Sequence, residues 1–542
     1  MLQPESDDLF RRLEELNSIG VSLSKEKDTI RLLEKILIAA KSITNADGGT
    51  LYRINEGTCQ FEIMRTDSLN IAMGGTTGVA IPFYPIHLIG RDGLPNNSMV
   101  VAYSVLHDTT VNIPDAYAAA GFDFSGTKSF DKRTGYRSKS FLTVPMKNHE
   151  NEIIGVLQLI NAQERKTGEI ISFSPADQSL AESLASQAAI ALTNRQLINQ
   201  LEALFEAFIT LINTAIDDKS AYTGGHCQRV PVLTMMLAEA AIRARSGPLK
   251  DFSLGEHELY ELKLAGLLHD CGKVTTPVHI VDKATKLQTI FDRIELVDVR
   301  FEVAKREAEI ETLKEKQKLL ANDPKAEVSD LDAKLVQRIA ALDDDRNFLR
   351  RGNIGGEFMR LEDVERIKRI ARNVWTNEVG ERAPLLTEDE VYNLSIARGT
   401  LTREDRAIIN NHVAMTYKML SALPWPKQLR GVPEIAASHH ERLDGKGYHR
   451  GLTGERMSLQ ARVVAIADIF EALTAKDRPY KPGKTLSESL EILGRMTLEN
   501  HVDPHLFDVF IREKVYLKYA EQFLDPVQID WVDETRIPGF VV

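Results

Sequence analysis

The chain has 542 residues, 43% hydrophobic and 27% charged, which is too long for one core and ordinary for a folded, water-soluble protein of two to four domains. No apolar run approaches the length needed to cross a bilayer, and a formal net charge of −11 repels long polyanions, so neither a membrane nor a nucleic-acid polymer is an expected partner. The acidic opening "MLQPESDDLF" lacks the basic-then-apolar pattern of a secretory signal, and Cys59, Cys227 and Cys271 form no metal knuckle, so a reducing cytoplasmic location without disulfides is expected.

In chain order, residues 13–196 mix helix and strand periodicities. Leu32 to Ile43 has the apolar stripe of an amphipathic helix, while "SFLTVPMKN" and "EIIGVLQLINA" alternate as two strands joined by a polar turn at Asn148 to Asn151. This predicts an α+β module. Next, Leu197, Leu201, Leu204, Phe208, Leu211 and Ala215 fall at alternating spacings of four and three, the seam of a coiled coil. Residues 197–216 are therefore read as a linker helix with a parallel dimer seam; a helix packed on its own domain is the alternative.

From residue 217 to about 287, and again from about 401 to 519, the pattern is helical throughout; residues 525–542 are read as a C-terminal tail. Between these blocks, residues 288–400 form an insertion. Phe291 to Leu320 is rich in Glu, Lys and Arg around Ile294, Val297, Phe301 and Ala304, and "ANDP" breaks it. A second charged helix runs through Leu331, Leu335, Ile339 and Leu342, which predicts an antiparallel helical hairpin. Its charged faces suit solvent or the docking of another protein. A helix at Leu361 to Arg372 and a loop containing Pro384 follow.

The helical blocks hold separated side chains of the metal-binding type: His226 in "YTGGHCQRV", His269 and Asp270 in "LLHDCGK", His412 in "INNHVAM", His439 and His440 in "SHHERLDGKGYH", and Asp468 in "VVAIADIFEALT". Neutral imidazoles bind divalent metals, and an aspartate bridges two cations with its two oxygens, so a set of this size suits two ions. Two adjacent ions activate water and clamp the oxygens of a phosphodiester. His and carboxylate donors fit iron or manganese and leave zinc open.

In this order, these segments together with "ARVVAIADIFEALTAKDRPYK" resemble the HD-GYP family, cyclic-di-GMP phosphodiesterases of the all-helical HD fold. The resemblance implies a bacterial enzyme over residues 217–524 that opens cyclic di-GMP to pGpG, and in many members to GMP. It implies that His226, His269, Asp270 and Asp468 hold the first metal, with Asp270 bridging, and that His412, His439 and His440 complete the second site. It also implies that Lys273 contacts phosphate beside the catalytic Asp270, and that Asp444, Gly445, Tyr448, Arg478 and Lys481 lie on the substrate side. The family's usual proline after Gly-Tyr is His449 here, which frees a backbone N–H, loosens the loop and removes no ligand. Trinuclear members carry a glutamate where this chain has Tyr222, a poor third ligand, so two metals are expected. No general acid for the leaving oxygen is evident. A non-catalytic receptor for cyclic di-GMP or for a partner such as a diguanylate cyclase, and a hydrolase of cyclic GMP-AMP, are the competing readings.

"VNIPDAYAAAGFDF" and "FDKRTGYRSKSFLTVPMKNHENEIIGVLQLINA" resemble a GAF domain of the cyclic-nucleotide phosphodiesterase type. That resemblance implies an antiparallel sheet with flanking helices and, as in ligand-binding members, a cyclic-nucleotide pocket supported by Asn161, Phe173 and Asp177, with Ala162 and Gln178 in place of the signature's lysine and glutamate; a cyclic mononucleotide ligand, another small-molecule effector, and a dimerisation or purely structural role are the open readings. The expected architecture is thus multidomain: an α+β GAF domain, a coiled-coil linker helix and an all-α HD-type domain with an inserted helical hairpin, assembled as a homodimer.

Overall fold

The computed structural model describes residues 3–219, 225–356, 358–475 and 483–541, with side chains from residue 10 onward. The chain divides into two compact units, Met1–Phe205 and Glu206–Val542.

In the first unit, α1 (Gln3–Lys25) and α2 (Thr29–Thr44) precede the sheet. Asp28 caps α2 by accepting the Arg31 N–H, and Asn45 ends it in the left-handed conformation. The sheet comprises β1 (Ala46–Asn55), β2 (Thr58–Thr66), β3 (Ile71–Gly74), β4 (Ile86–His87), β5 (Val111–Ile113), β6 (Phe141–Lys147), β7 (Ile153–Gln163) and β8 (Ile170–Ile171). Its order is β3-β2-β1-β7-β6-β5, with β4 on β2 and β8 on β7, and every pairing is antiparallel. Two short helices, α3 (Val100–Leu106) and α4 (Ser125–Thr134), lie between strands, and α5 (Pro175–Lys219) follows the sheet.

Side chains alternate across the strands. Leu51, Leu142, Val144, Leu157 and Leu159 enter one core with Leu32, Ile36 and Leu37 of α2 and Ala181, Leu184 and Ala188 of α5. The opposite face carries Tyr52, Val156 and Phe141, packed against Val100, Val101 and Phe124. The two expected strands and their turn are present as β6 and β7. The linker helix is longer than expected, because α5 is continuous from Pro175 and its first turns belong to the sheet's core.

The second unit is helical. It contains α6 (His226–Arg243), α7 (Glu256–Leu268), α8 (Val278–Val281), α9 (Ile294–Asn322), α10 (Ser329–Asn353), α11 (Leu361–Ala371), α12 (Glu388–Leu394), α13 (Arg403–Ser421), α14 (Val432–Ala436), α15 (Leu459–Thr474), α16 (Leu486–Leu498), α17 (Pro504–Arg512) and α18 (Val515–Phe523). The expected hairpin is α9 and α10, held in register by ion pairs across it, including Arg346 to Glu302 (2.6 Å), Lys305 to Asp343 (2.5 Å) and Arg338 to Glu311 (2.7 Å). The exposed Arg338–Glu311 pair contributes about 0–1 kcal/mol, so it chooses the pairing of the two helices more than it stabilises it.

The insertion is more than a hairpin. Its base has a core of its own, in which Val297, Phe301 and Leu349 meet Ile367, Ile370, Leu385 and Leu394. Pro384, expected in a loop, lies in a two-stranded ribbon of β9 (Val374–Thr376) and β10 (Arg382–Pro384). The two ends of the insertion meet. Lys286 is fully buried and donates to the carbonyls of Leu394 (2.9 Å) and Ile396 (2.8 Å), Lys283 pairs with Asp405 (2.7 Å), and the Thr400 hydroxyl donates to the Lys283 carbonyl (2.8 Å). The C-terminal residues are fastened rather than free: Gln528 is buried and donates to the carbonyls of Thr474 and Lys484, both at 2.9 Å.

Candidate metal centre

Helix ends deliver most of the ligand-type side chains. His226 is the first residue of α6, and Asp217, in the last turns of α5, accepts the Gly225 N–H just before it (3.1 Å). His269 closes α7, and Asp270 leads into a tight turn over Cys271–Thr275. His412 lies within α13, whose start is capped by Thr402 and Asp405, His439 and His440 follow α14, and Asp468 lies within α15. Gly272 explains the close approach of α13 to the turn: a Cβ there would stand 2.0 Å from the His412 carbonyl oxygen. Thr416 completes that contact, accepting the Gly272 N–H (2.9 Å) and donating to the His269 carbonyl (3.0 Å).

These side chains converge as two trios, His226 with His269 and Asp468, and His412 with His439 and His440. Within each trio the donor atoms lie within 4.8 Å of one another. Asp270 stands between them. Its Oδ2 is 3.2 Å from His226 Nε2 and 3.4 Å from His269 Nε2, while its Oδ1 is 3.3 Å from His412 Nε2 and 3.8 Å from His439 Nε2. Asp468 spans them less closely, with Oδ1 3.2 Å from His226 Nε2 and Oδ2 3.8 Å from His440 Nδ1. The rings are oriented from behind: His269, His412 and His439 use Nδ1 on the carbonyls of Gly266 (2.8 Å), Ile409 (2.6 Å) and Ala436 (2.6 Å), and His226 uses Nδ1 on Glu471. Each Nε2 is thereby turned inward.

Electrostatics divides the cluster. Burial pulls the His226 imidazole down, but Glu471, Asp270 and Asp468 together raise it well above its ordinary value, and the same competition leaves His269 at about 9. Burial pushes Asp270 up, and Lys273 with the imidazoles holds it well below the usual carboxylate range. Burial and neighbouring histidines push His439 down, and burial takes His440 to about 4. In the metal-free protein, protons on the first trio balance the buried carboxylates that a divalent cation would otherwise neutralise. The donor set fits such an ion on a second ground: Asp270 Oδ1 is buried and accepts no hydrogen bond among the described residues, a costly state for a carboxylate oxygen unless a cation occupies the site.

Residues 28–192 match the GAF domain, and residues 387–506 match the HD domain. The chain joins a GAF domain to an HD domain. Among curated proteins it is similar to 3′3′-cGAMP-specific phosphodiesterase 1 of Vibrio cholerae, 46% identical over 81 residues that make up 15% of this chain and 19% of that protein. Cyclic di-GMP phosphodiesterase response regulator RpfG of Xanthomonas campestris is 37% identical over 127 residues, 22% of this chain and 31% of that protein. Dual 3′,5′-cyclic-AMP and -GMP phosphodiesterase 11A of Takifugu rubripes is 28% identical over 201 residues, 36% of this chain and 21% of that protein. The chain thus spans less than a third of the length of each of these relatives. The HD match begins inside the insertion, at α12, rather than after it.

Around the cluster, Lys273 places its ammonium 2.6 Å from Asp270 Oδ2. Lys219, at the end of α5, donates to the carbonyls of Lys273 (3.3 Å) and Val274. Tyr448 lies against His440, ring centroids 5.0 Å apart. Asp444 is committed within its own loop, paired with Arg442 (2.8 Å) and accepting the Lys446 N–H (3.0 Å), so its carboxylate braces the loop. The loop is tied despite His449. Glu441 is buried and accepts the N–H groups of Arg450 and Leu452, both at 2.8 Å, and Gly447 packs so tightly that a Cβ would meet the backbone of Glu441 and Arg442 at 2.5 Å. Arg478, Lys481 and Tyr222 lie outside the described residues.

Sequence reasoning missed Glu441 and Glu471. Each has a signal: Glu441 directly follows the His pair, and Glu471 stands one helical turn after Asp468 in "ADIFEA", where it also takes Arg229 (2.7 Å).

In the GAF domain the expected pocket residues need correction. A cavity of about 320 Å³ opens on the sheet face that bears Tyr52, and Asn161, Phe173 and Asp177 do not line it. Asn161 accepts the Lys139 N–H (2.7 Å) and donates to the Tyr136 hydroxyl (2.8 Å) and the Arg137 carbonyl (2.9 Å), holding the segment before β6. Phe173 is in the helix-side core. Asp177 accepts the Ser174 N–H (2.8 Å) at the start of α5 and pairs with Arg12 of α1, which supplies a cation that the expected lysine position, Ala162, lacks.

Proposed function

We propose that this chain is a metal-dependent phosphodiesterase that opens cyclic di-GMP to pGpG. The observation that carries the reading is the Asp270 carboxylate, which turns one oxygen to each of two imidazole-rich trios. His226, His269 and Asp468 would hold one cation, His412, His439 and His440 the other, with Asp270 shared. The fit is to iron or manganese, and two such ions supply Lewis acidity and an activated water. The chain's own part is to fix the imidazoles from behind, exclude bulk water by burial, and present the Lys273 ammonium to the phosphate oxygens, where charge accumulates as a P–O3′ bond gives way to a P–O bond from water. Tyr448, whose ring lies beside His440, would stack on a guanine. The HD-GYP resemblance and the relative named a cyclic di-GMP phosphodiesterase support this substrate.

A second substrate, 3′3′-cyclic GMP-AMP, is favoured by one observation, the 46% identity to a relative named for it. Both readings are tested together. Protein reconstituted anaerobically with iron(II) or manganese(II) is given each dinucleotide, with products separated by chromatography beside a His269→Ala/Asp270→Ala control. Metal-dependent pGpG with a higher kcat/KM for cyclic di-GMP supports the first reading. A higher value for the mixed dinucleotide supports the second, and no product from metal-loaded protein overturns both.

The assembly we propose is a cytoplasmic homodimer along α5, regulated by an effector in the GAF cavity. Leu197, Leu201, Leu204, Phe208 and Leu211 are each 45–64% exposed, which leaves the heptad stripe without cover from its own chain. Burying such side chains contributes on the order of 1.5–3 kcal/mol each when burial is complete. Among the described residues, no helix is long and apolar enough to cross a membrane.

A further inference from the structure

The GAF cavity has a chemical character that the effector reading alone does not specify. One wall is the sheet face of β1, β2, β6 and β7; the other is formed by the segment before β4 and by α3 and α4. Tyr52, Phe61, Phe83, Phe124, Phe130 and Phe141 line it, with Tyr52 and Phe61 4.7 Å apart, Phe61 and Phe83 5.4 Å, and Phe124 and Phe141 5.5 Å. Rings tilted toward one another around a space of this volume favour a flat guest that makes face and edge contacts.

Apart from Asp123, the polar side chains of the cavity are neutral. Gln158 is buried, accepts the Tyr52 hydroxyl (3.1 Å) and donates one amide N–H to Thr143 (3.1 Å), which leaves its second N–H for a guest. Thr50, Thr66 and Ser138 add hydroxyls. No Lys, Arg or His is among the lining residues. Lys128, on α4, is turned onto the Tyr117 ring, 5.4 Å from its centroid.

The charged side chain that does line the cavity is an acid. Asp123 precedes α4 and accepts the Ser125 N–H (2.8 Å), so a carboxylate already takes up the helix's partial positive charge where Gly126 and Thr127 face the cavity. A ligand phosphate entering there would meet that carboxylate, with no cation lining the cavity to offset it.

Resting on the proposed effector role of the GAF domain, we propose that this cavity selects an uncharged planar heteroaromatic ligand and rejects anionic cyclic nucleotides. The aromatic walls supply stacking, Gln158 reads a polar ring edge, and the Asp123 carboxylate repels phosphate.

Calorimetric titration of the full chain tests this with adenine, adenosine, indole and 3′,5′-cyclic AMP. Adenosine and cyclic AMP share base and sugar and differ in charge. The expected result is a Kd below about 1 mM for at least one neutral probe, with cyclic AMP at least about tenfold weaker than adenosine. Asp123→Asn, which keeps the acceptor for Ser125, should narrow that gap several-fold, and Phe61→Ala should weaken the neutral probe. Cyclic AMP binding as tightly as adenosine, a gap untouched by Asp123→Asn, or no neutral probe binding at all would overturn the proposal. None of these outcomes depends on turnover of a cyclic dinucleotide, so the HD-domain reading stands or falls separately.

Discussion

Arg12 and Asp177 form a buried ion pair between elements 165 residues apart in the chain. Arg12 also donates to the Ile43 carbonyl (2.9 Å through Nε), so α1, α2 and the start of α5 share one guanidinium. Breaking a buried pair from one side leaves a desolvated charge and costs about 3–5 kcal/mol, whereas removing both partners costs less. Arg12→Met should therefore lower the GAF-domain melting temperature more than Arg12→Met combined with Asp177→Asn does. Differential scanning calorimetry of the two variants decides it, and equal or greater loss in the double variant would contradict the pairing.

The two histidines of the first trio carry protons in the absence of metal. His269, raised to about 9, is protonated at neutral pH, and its proton must leave before Nε2 binds a cation. Manganese affinity should consequently rise between about pH 6.5 and about pH 8.5, with proton release detectable as a dependence of binding heat on buffer ionisation enthalpy. An affinity flat across that range would show that this histidine is already neutral.

Glu471 holds the His226 ring and would act on a bound metal through it. Removing its charge with Glu471→Gln should weaken the metal site by about 10–100-fold while leaving the helical fold intact. Metal content after dialysis, measured by mass spectrometry beside circular dichroism, provides the check; full metal retention would reduce Glu471 to a partner of Arg229.

The end of α5 reaches the chemistry by another route. Lys219 holds the carbonyls of the turn that carries Lys273, so Lys219→Met should lower kcat by several-fold with metal content and KM unchanged. Lys219→Arg, which keeps a donor, should restore part of the loss. A change in metal content alongside the rate would reassign Lys219 to the metal site.

Leu201→Glu with Leu204→Glu places charge on the exposed stripe of α5. Sedimentation should show the wild-type chain as a dimer and this variant as a monomer, with the GAF-domain melting transition in place. A wild-type monomer at micromolar concentration would remove the seam as an assembly surface.

The convergence of the His and Asp side chains was the feature most legible in the sequence, because most of them sit in short motifs at helix ends. His269–Asp270 ends α7 at a glycine-bearing turn, and Asp468 recurs at the buried face of α15. The strands β6 and β7 were equally legible from alternation. Tertiary features were not. Arg12 has no local signal pointing to Asp177, and the GAF cavity is assembled from Tyr52, Phe61, Phe83 and Phe130, which no periodicity groups together. The insertion read as a hairpin because charge patterning is visible in a helix, whereas the pairing of Val297 and Phe301 with Ile370 and Leu385 is a property of the folded chain.

The meeting of Lys283 with Thr400 and Asp405 has an evolutionary consequence. A segment that leaves and re-enters a fold at nearly the same point behaves as a detachable appendage, one whose exchange would not displace the His and Asp cluster. A change of length or surface within residues 288–386, ahead of the stretch that matches the HD domain, would leave the His and Asp cluster in place.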